Sequence, residues 1–408
     1  MEKRLLIFAT IEILLLTVFH NLFGSWVQPV VWLVVAILPA IWLLQGKYYI
    51  PEFEKNQDKI KVWIFIATIA CGIILTVYFS QKYILDAKYS DIIPTIQLFI
   101  KRFLNGQPVY TLIQDFGYDL APTYLPGHWF PFIPSEILHI DPRVWAFILG
   151  MLAWLPLVLS ATPLGSNIKI SSFLPFGLFV LWLISAASEI GYNIEWLMAG
   201  YYVLFAWALV NKNPWWIAFS LTLILLSRFS LVLWLPLVLP LFFIKEWRKI
   251  MISVSITTAV VILFIYVIPF LSQDWNALKN AQDYYSVAAL KEWSGQYWQK
   301  SGDDAFQLAR GYGFAYWYYK LGTGSLPQKI AIFKNIQLII CLGFTFLIGM
   351  WYYLKTKEKL DVRLFMLGSL KIYLTLFYGL IQVPYPYLFM VPAGFTLALL
   401  FIVRPKVS

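Results

Sequence analysis

The sequence predicts an all-α integral membrane protein of about twelve transmembrane helices with two long outer loops containing amphipathic helices, and three observations predict it. Hydrophobic residues make up 60% of the 408 and charged residues only 13%, where an ordinary soluble domain carries about 25% charged residues. Mean hydropathy is +0.71. Apolar runs near the roughly 20 residues that a helix needs to cross the hydrocarbon core recur along the chain. The basic residues between those runs fall on alternate connections.

Twelve runs bounded by charges or turn residues are candidate spans, near 4–23, 27–45, 61–80, 143–161, 172–188, 195–211, 214–227, 229–244, 250–271, 329–353, 363–381 and 387–403. The first has a basic start and an apolar core like a signal peptide, but no small-residue cleavage pattern follows, so a retained helix is expected. The seventh and eighth are short and meet at Ser227-Arg228-Phe229, which predicts one tight hairpin that does not emerge fully from the membrane.

Orientation follows from charge. With a cytoplasmic N-terminus, the inner connections hold Lys3/Arg4, Lys47/Lys55/Lys59/Lys61, Lys169, Lys212, Lys245/Arg248/Lys249, Lys355/Lys357/Lys359/Arg363 and Arg404/Lys406, while the short outer turns hold only Arg228. That asymmetry is the positive-inside pattern. It leaves two long segments, about 81–142 and 272–328, outside the cytoplasm, within a single polytopic membrane domain over 1–408. In the first, the apolar residues at 92, 93, 96, 99, 100 and 103 have helical spacing, with Lys101 and Arg102 on the other face. This predicts an amphipathic helix on the outer leaflet.

Composition also excludes. The net charge of +10 is scattered between apolar runs, so topology explains it and no nucleic-acid partner is expected. Cys71 and Cys341 both fall inside apolar runs and read as small core residues, with neither a disulfide framework nor a metal site. No P-loop, GxGxxG, HExxH or CxxC pair occurs, so no cofactor and no cytosolic nucleotide chemistry are expected. Aromatic residues at 19% suit the bilayer interface, where a ring buries its body and wets its polar tip.

The remaining chemical signal is polar residues at the outer boundary, where an ionisable group is costly unless paired or functional. Asp91, in KYSDIIP, starts the amphipathic helix; it reads as an N-cap, with Pro94 in the first turn, or as a catalytic carboxylate. Glu189 and Glu195 flank Gly191-Tyr192-Asn193 and read as solvated turn carboxylates or as ligands of sugar hydroxyls. His128, in PGHWFPF, is an interfacial histidine or a contact for phosphate or acceptor. Arg310 precedes a dense aromatic run and is an interface anchor or a phosphate or sugar ligand. Asp303-Asp304 lack spaced partners and read as a solvated turn. Glu12 and Lys371 lie within predicted spans and either pair internally or snorkel. His20 and His139 have no matching partner.

The stretch DIIPTIQLFIKRFLNGQPVYTL, followed by Tyr124-Leu125-Pro126 and Pro131-Phe132, resembles the C-type glycosyltransferases, in particular the branch of polyprenol-phosphate-mannose-dependent mannosyltransferases. In that pattern an acidic residue early in the first outer loop precedes a helix, a Gly-x-Pro-x-Tyr turn and a Tyr/Pro-rich return to the membrane. Asp91 and then Gly106, Pro108 and Tyr110 fit it. Gly191 and Asn193 fit a second pattern, Gly-Gln-x-Asn before a helix. Tyr192 replaces its glutamine, and Arg228 replaces its lysine, with a fork that suits phosphate.

The resemblance covers roughly 85–245 and implies transfer of a sugar, mannose in that branch, with inversion. The donor would be a polyprenyl-phosphate-linked sugar and the acceptor a glycan or glycolipid, at the outer face of the membrane; the lack of an N-x-Ser/Thr sequon is compatible with a bacterial plasma membrane. Asp91 would be the base and Arg228 the phosphate ligand, with Glu189, Asn193, Glu195, His128 and Arg310 available to substrate. A transporter or a lipid or glycan flippase is the alternative, since twelve helices suit one; the chain shows no internal repeat of the kind carriers often have.

Overall fold

The computed structural model describes residues 2–19, 22–51, 59–160, 177, 191–295, 305–356 and 359–406. It is about 76% helical. The helices in chain order are α1 (Glu2–Thr17), α2 (Gly24–Leu44), α3 (Lys59–Lys82), α4 (Ile92–Leu104), α5 (Pro126–Trp129), α6 (Ile133–Ile137), α7 (Pro142–Ser160), α8 (Glu195–Val210) and α9 (Pro214–Leu225). After a 3-10 helix (Phe229–Phe243) come α10 (Lys245–Ile262), α11 (Ala277–Trp293), α12 (Phe306–Arg310), α13 (Ala315–Leu321), α14 (Leu326–Trp351), α15 (Val362–Gly379) and α16 (Met390–Ile402).

Among the described residues six helices are long and apolar enough to cross a membrane: Gly24–Leu44, Phe65–Lys82, Pro142–Ser160, Lys245–Leu271, Leu326–Lys355 and Val362–Gly379. The fold is therefore that of an all-α membrane protein, with six such helices where twelve were expected. Apart from Gly177, the run at 172–188 lies outside the described residues, as do Lys169 and the Asp303-Asp304 pair. The runs at 4–23, 195–211, 214–227, 229–244 and 387–403 form shorter helices, and local chemistry explains two of them. The Asn213 side chain accepts from the Trp215 and Trp216 N–H groups at 3.1 and 3.3 Å, starting α9 at Pro214, and α9 is twelve residues long, ending at Leu225. Pro236 and Pro240 lack N–H donors in the 229–243 stretch, which is wound as a 3-10 helix. At about 2 Å per residue its fifteen residues extend roughly 30 Å.

Backbone contacts divide the chain into two compact units, residues 1–51, 230–251 and 283–408 in one, and 52–229 and 252–282 in the other. In the first, α2 packs along α15, and Gly368 lets them approach: a Cβ there would lie 3.0 Å from Leu44. Within this unit Lys371 Nζ donates to Glu12 Oε1 at 2.8 Å and to the Pro392 carbonyl at 2.9 Å, and Thr396 donates to Glu12 Oε2 at 2.6 Å. Both charged side chains are fully buried. The two charges read from sequence as lying within spans, Glu12 and Lys371, thus pair with each other. A short antiparallel ladder, Tyr48–Tyr49 with Arg404–Pro405, ties the segment after α2 to the one after α16. Trp293, Leu308, Phe333 and Val383 build a second apolar cluster in the same unit.

In the other unit α7 packs against α3 and α8 through small residues. A Cβ on Gly200 would lie 3.1 Å from Ala153 and 3.3 Å from the Gly150 carbonyl, the close approach that membrane helices favour. Arg143, at the start of α7, is buried and bound to Asp141 at 2.6 Å and to the carbonyls of Ser80 at 3.0 Å, Tyr83, and Gly191 at 3.4 Å. It fastens the end of α3 to the turn before α8. The amphipathic helix α4 forms as expected. Its apolar face, however, is covered by protein: Ile93, Ile96 and Phe99 are fully buried, and Phe99 meets Tyr110 and Trp129 edge-on at 5.6 and 6.2 Å. The loop's own aromatic residues supply the apolar cover expected from lipid. Gly106 closes α4 with φ +66, a left-handed turn that glycine adopts without strain, and Arg102 folds back on the carbonyls of Val109, Thr111 and Leu112.

Candidate functional site

The second unit gathers Asp91, Tyr118, Tyr124, His128, Glu195 and Arg228 from five separate stretches of chain. Asp91 occupies the N-cap position of α4, but its side chain makes no capping hydrogen bond. Its carboxylate instead accepts from the Tyr118 hydroxyl at 3.2 Å. The adjacent Ser90 hydroxyl donates to the Tyr192 carbonyl at 3.1 Å, which ties the start of α4 to the turn before α8. Burial raises the Asp91 pKa above its ordinary value, and the Tyr118 hydrogen bond opposes the rise.

Gly127 brings α5 onto the end of α9. Its N–H donates to the Leu226 carbonyl at 2.7 Å, and a Cβ there would lie 2.8 Å from the Leu223 carbonyl oxygen. His128, next in sequence, is fully buried, and among the described residues its ring nitrogens have no well-aligned hydrogen bond, with the Ser227 backbone beside the ring. Its ring stacks on Tyr124 at 4.4 Å and 10°. Burial lowers the imidazole pKa well below the usual range; the Arg228 guanidinium adds to this and the Ser227 backbone opposes it. The ring is therefore neutral near neutral pH.

Arg228 follows the end of α9 and forms an ion pair with Glu195, the first residue of α8. The Glu195 side chain is fully buried, and that of Arg228 is 22% exposed. Glu195 Oε1 accepts from Arg228, and Oε2 has no hydrogen-bond partner. Asn193 accepts from the Glu195 N–H at 3.1 Å, so its amide oxygen serves the helix start. Tyr124 lies at the electrical centre of the group. Burial chiefly holds its phenol neutral, Asp91 and Glu195 reinforce this, and Arg228 acts the other way.

Of the residues singled out from sequence, Asp91, His128, Asn193, Glu195 and Arg228 thus fall in one neighbourhood. Arg310 belongs to the other unit, where its guanidinium lies over the Phe306 ring at 4.9 Å. Glu189 lies outside the described residues. Tyr192, at the departure from the family pattern, packs near Tyr83 and Tyr89 at 5.8 and 6.0 Å. Sequence reasoning missed Tyr118 and the role of Tyr124. Tyr118 sits in a turn closed by the Ile113–Leu120 bridge, 27 residues beyond Asp91, with no periodic signal to link the two. Tyr124 could have been found from its spacing, since a tyrosine four residues before a histidine at a helix start can stack on it.

Chemically the group offers a carboxylate of raised pKa, a guanidinium able to balance an anion, a neutral imidazole and two phenols. No protein-family model, curated protein or solved structure matches this chain.

Proposed function

We propose that the chain is a membrane glycosyltransferase that moves a sugar, mannose by the sequence resemblance, from a polyprenyl-phosphate carrier to a hydroxyl of a glycan or glycolipid. The setting is the extracytoplasmic side of a bacterial plasma membrane, with both termini cytoplasmic and the remaining apolar helices completing the twelve spans. The observation that carries the reading is the freedom of the Asp91 carboxylate from helix capping, in a group that also holds Arg228.

In this mechanism Asp91 removes the acceptor hydroxyl's proton while the oxygen attacks the anomeric carbon. The bond from that carbon to the phosphate oxygen breaks, and the phosphate leaves with the electron pair. Arg228 balances its charge. A single displacement inverts the anomeric centre. The raised Asp91 pKa makes it a better proton acceptor than an ordinary aspartate.

The buried Glu12–Lys371 pair favours a second reading, a carrier or flippase, because membrane-interior charges also mark transport paths. Mass spectrometry of lipid-linked and surface glycans in cells with and without the protein separates the two. Glycosyl transfer predicts a glycan lacking one sugar and accumulation of its precursor. Unchanged glycans with altered uptake would replace the transferase with the carrier.

A further inference from the structure

We infer that Glu195 is the resident counter-ion of Arg228, which the donor's phosphate displaces, so that phosphate binding is coupled to uptake of a proton by Glu195. The inference rests on the phosphate-donor reading and adds a regulation of the same site.

Among the described residues Glu195 is the only fully buried carboxylate in the group, and its only hydrogen-bonded counter-charge is Arg228. Its second oxygen has no hydrogen-bond partner, so nothing else in its hydrogen bonding compensates the charge once the guanidinium turns to another anion. A buried carboxylate left in that state is strongly destabilised as an ion and readily accommodated as a neutral acid. Among the described residues the surrounding groups offer no replacement cation. Tyr124 and Tyr118 are phenols, Asp91 is an anion, and His128 is held neutral by burial and by Arg228. Helix α9 carries no titratable side chain, and the one charge on α7, Arg143, is bound to Asp141.

A singly charged phosphodiester arriving at Arg228 therefore brings one negative charge, Glu195 takes one proton from solvent, and the net charge of the site is unchanged. Glu195 would then regulate donor binding rather than contact sugar. His128, whose ring nitrogens are buried, is the competing proton acceptor, and the test separates them.

The full chain in detergent micelles is titrated calorimetrically with farnesyl methyl phosphodiester, whose single charge does not titrate near neutral pH, in buffers of different ionisation enthalpy. The wild type should take up a proton on binding, with affinity weakening as pH rises by up to about tenfold per pH unit. Glu195→Gln should bind without uptake and without pH dependence, and about tenfold or more tighter than the wild type in the alkaline range. His128→Asn and Asp91→Asn should keep the uptake. A pH-independent wild type overturns the inference, and so does uptake that survives in Glu195→Gln or vanishes in His128→Asn. If Glu195→Gln fails to fold, the wild-type pH dependence and the other two variants decide. A wild type that binds no phosphodiester at any pH removes the donor reading itself.

Discussion

Replacing Lys371 by methionine should be among the most destabilising single changes in this chain. Lys371 and Glu12 are both fully buried, 2.8 Å apart, and the variant leaves the carboxylate with only the Thr396 hydroxyl at 2.6 Å. Removing one partner of a buried pair costs about 3–5 kcal/mol. The double variant Glu12→Gln/Lys371→Met has no charge at this site and should recover most of the loss, because a neutral replacement of a whole pair is often tolerated. Unfolding by titration with sodium dodecyl sulfate in mixed micelles, followed by tryptophan fluorescence, measures all three stabilities. A loss below about 1 kcal/mol for Lys371→Met, or a double variant no more stable than the single, would refute the pairing.

Three further outcomes are expected. Because Asp91 must be ionised to accept a proton and burial raises its pKa, kcat at saturating donor should rise with pH through a value above the ordinary aspartate range; a flat profile would exclude this base. Gly127→Ala forces a Cβ to 2.8 Å from the Leu223 carbonyl and should cost about 1–3 kcal/mol, with loss of phosphodiester affinity as α5 moves from Arg228; unchanged melting and binding would contradict this. In a background without Cys71 and Cys341, a cysteine at the exposed Gln107 should react with an impermeant reagent in intact cells and one at the exposed Lys359 should not; the reverse would invert the topology.

The long helices were legible because hydropathy and boundary charges act locally: the runs at 27–45, 61–80 and 143–161 fall within two or three residues of α2, α3 and α7. The short ones were legible in extent too, the run at 214–227 ending within two residues of α9, but the 3-10 winding of 229–243 around Pro236 and Pro240 was not. Glu12 and Lys371 were visible as costly charges. Their pairing across 359 residues was not, because no local spacing links them. The site was legible in the same uneven way. Asp91, His128, Glu195 and Arg228 stand out as polar residues beside apolar runs. The capping reading of Asp91 followed from position alone, and only the fold directs its carboxylate to Tyr118. The protein cover of α4 depended on Tyr110 and Trp129 returning to Phe99, which helical spacing cannot reveal.

Asp91→Asn isolates the proposed chemistry, because the amide keeps the side chain's size and its ability to accept from Tyr118 while removing its capacity to take a proton. The measurement is the rate of sugar transfer from a polyprenyl-phosphate donor to the glycolipid precursor that accumulates without the protein, for purified wild type and Asp91→Asn of equal thermal stability. General-base catalysis by Asp91 predicts normal phosphodiester binding and turnover reduced by roughly 10²–10⁴-fold. Near-normal turnover of Asp91→Asn would contradict it and move the search for the base to Glu195, Glu189 or Asp86.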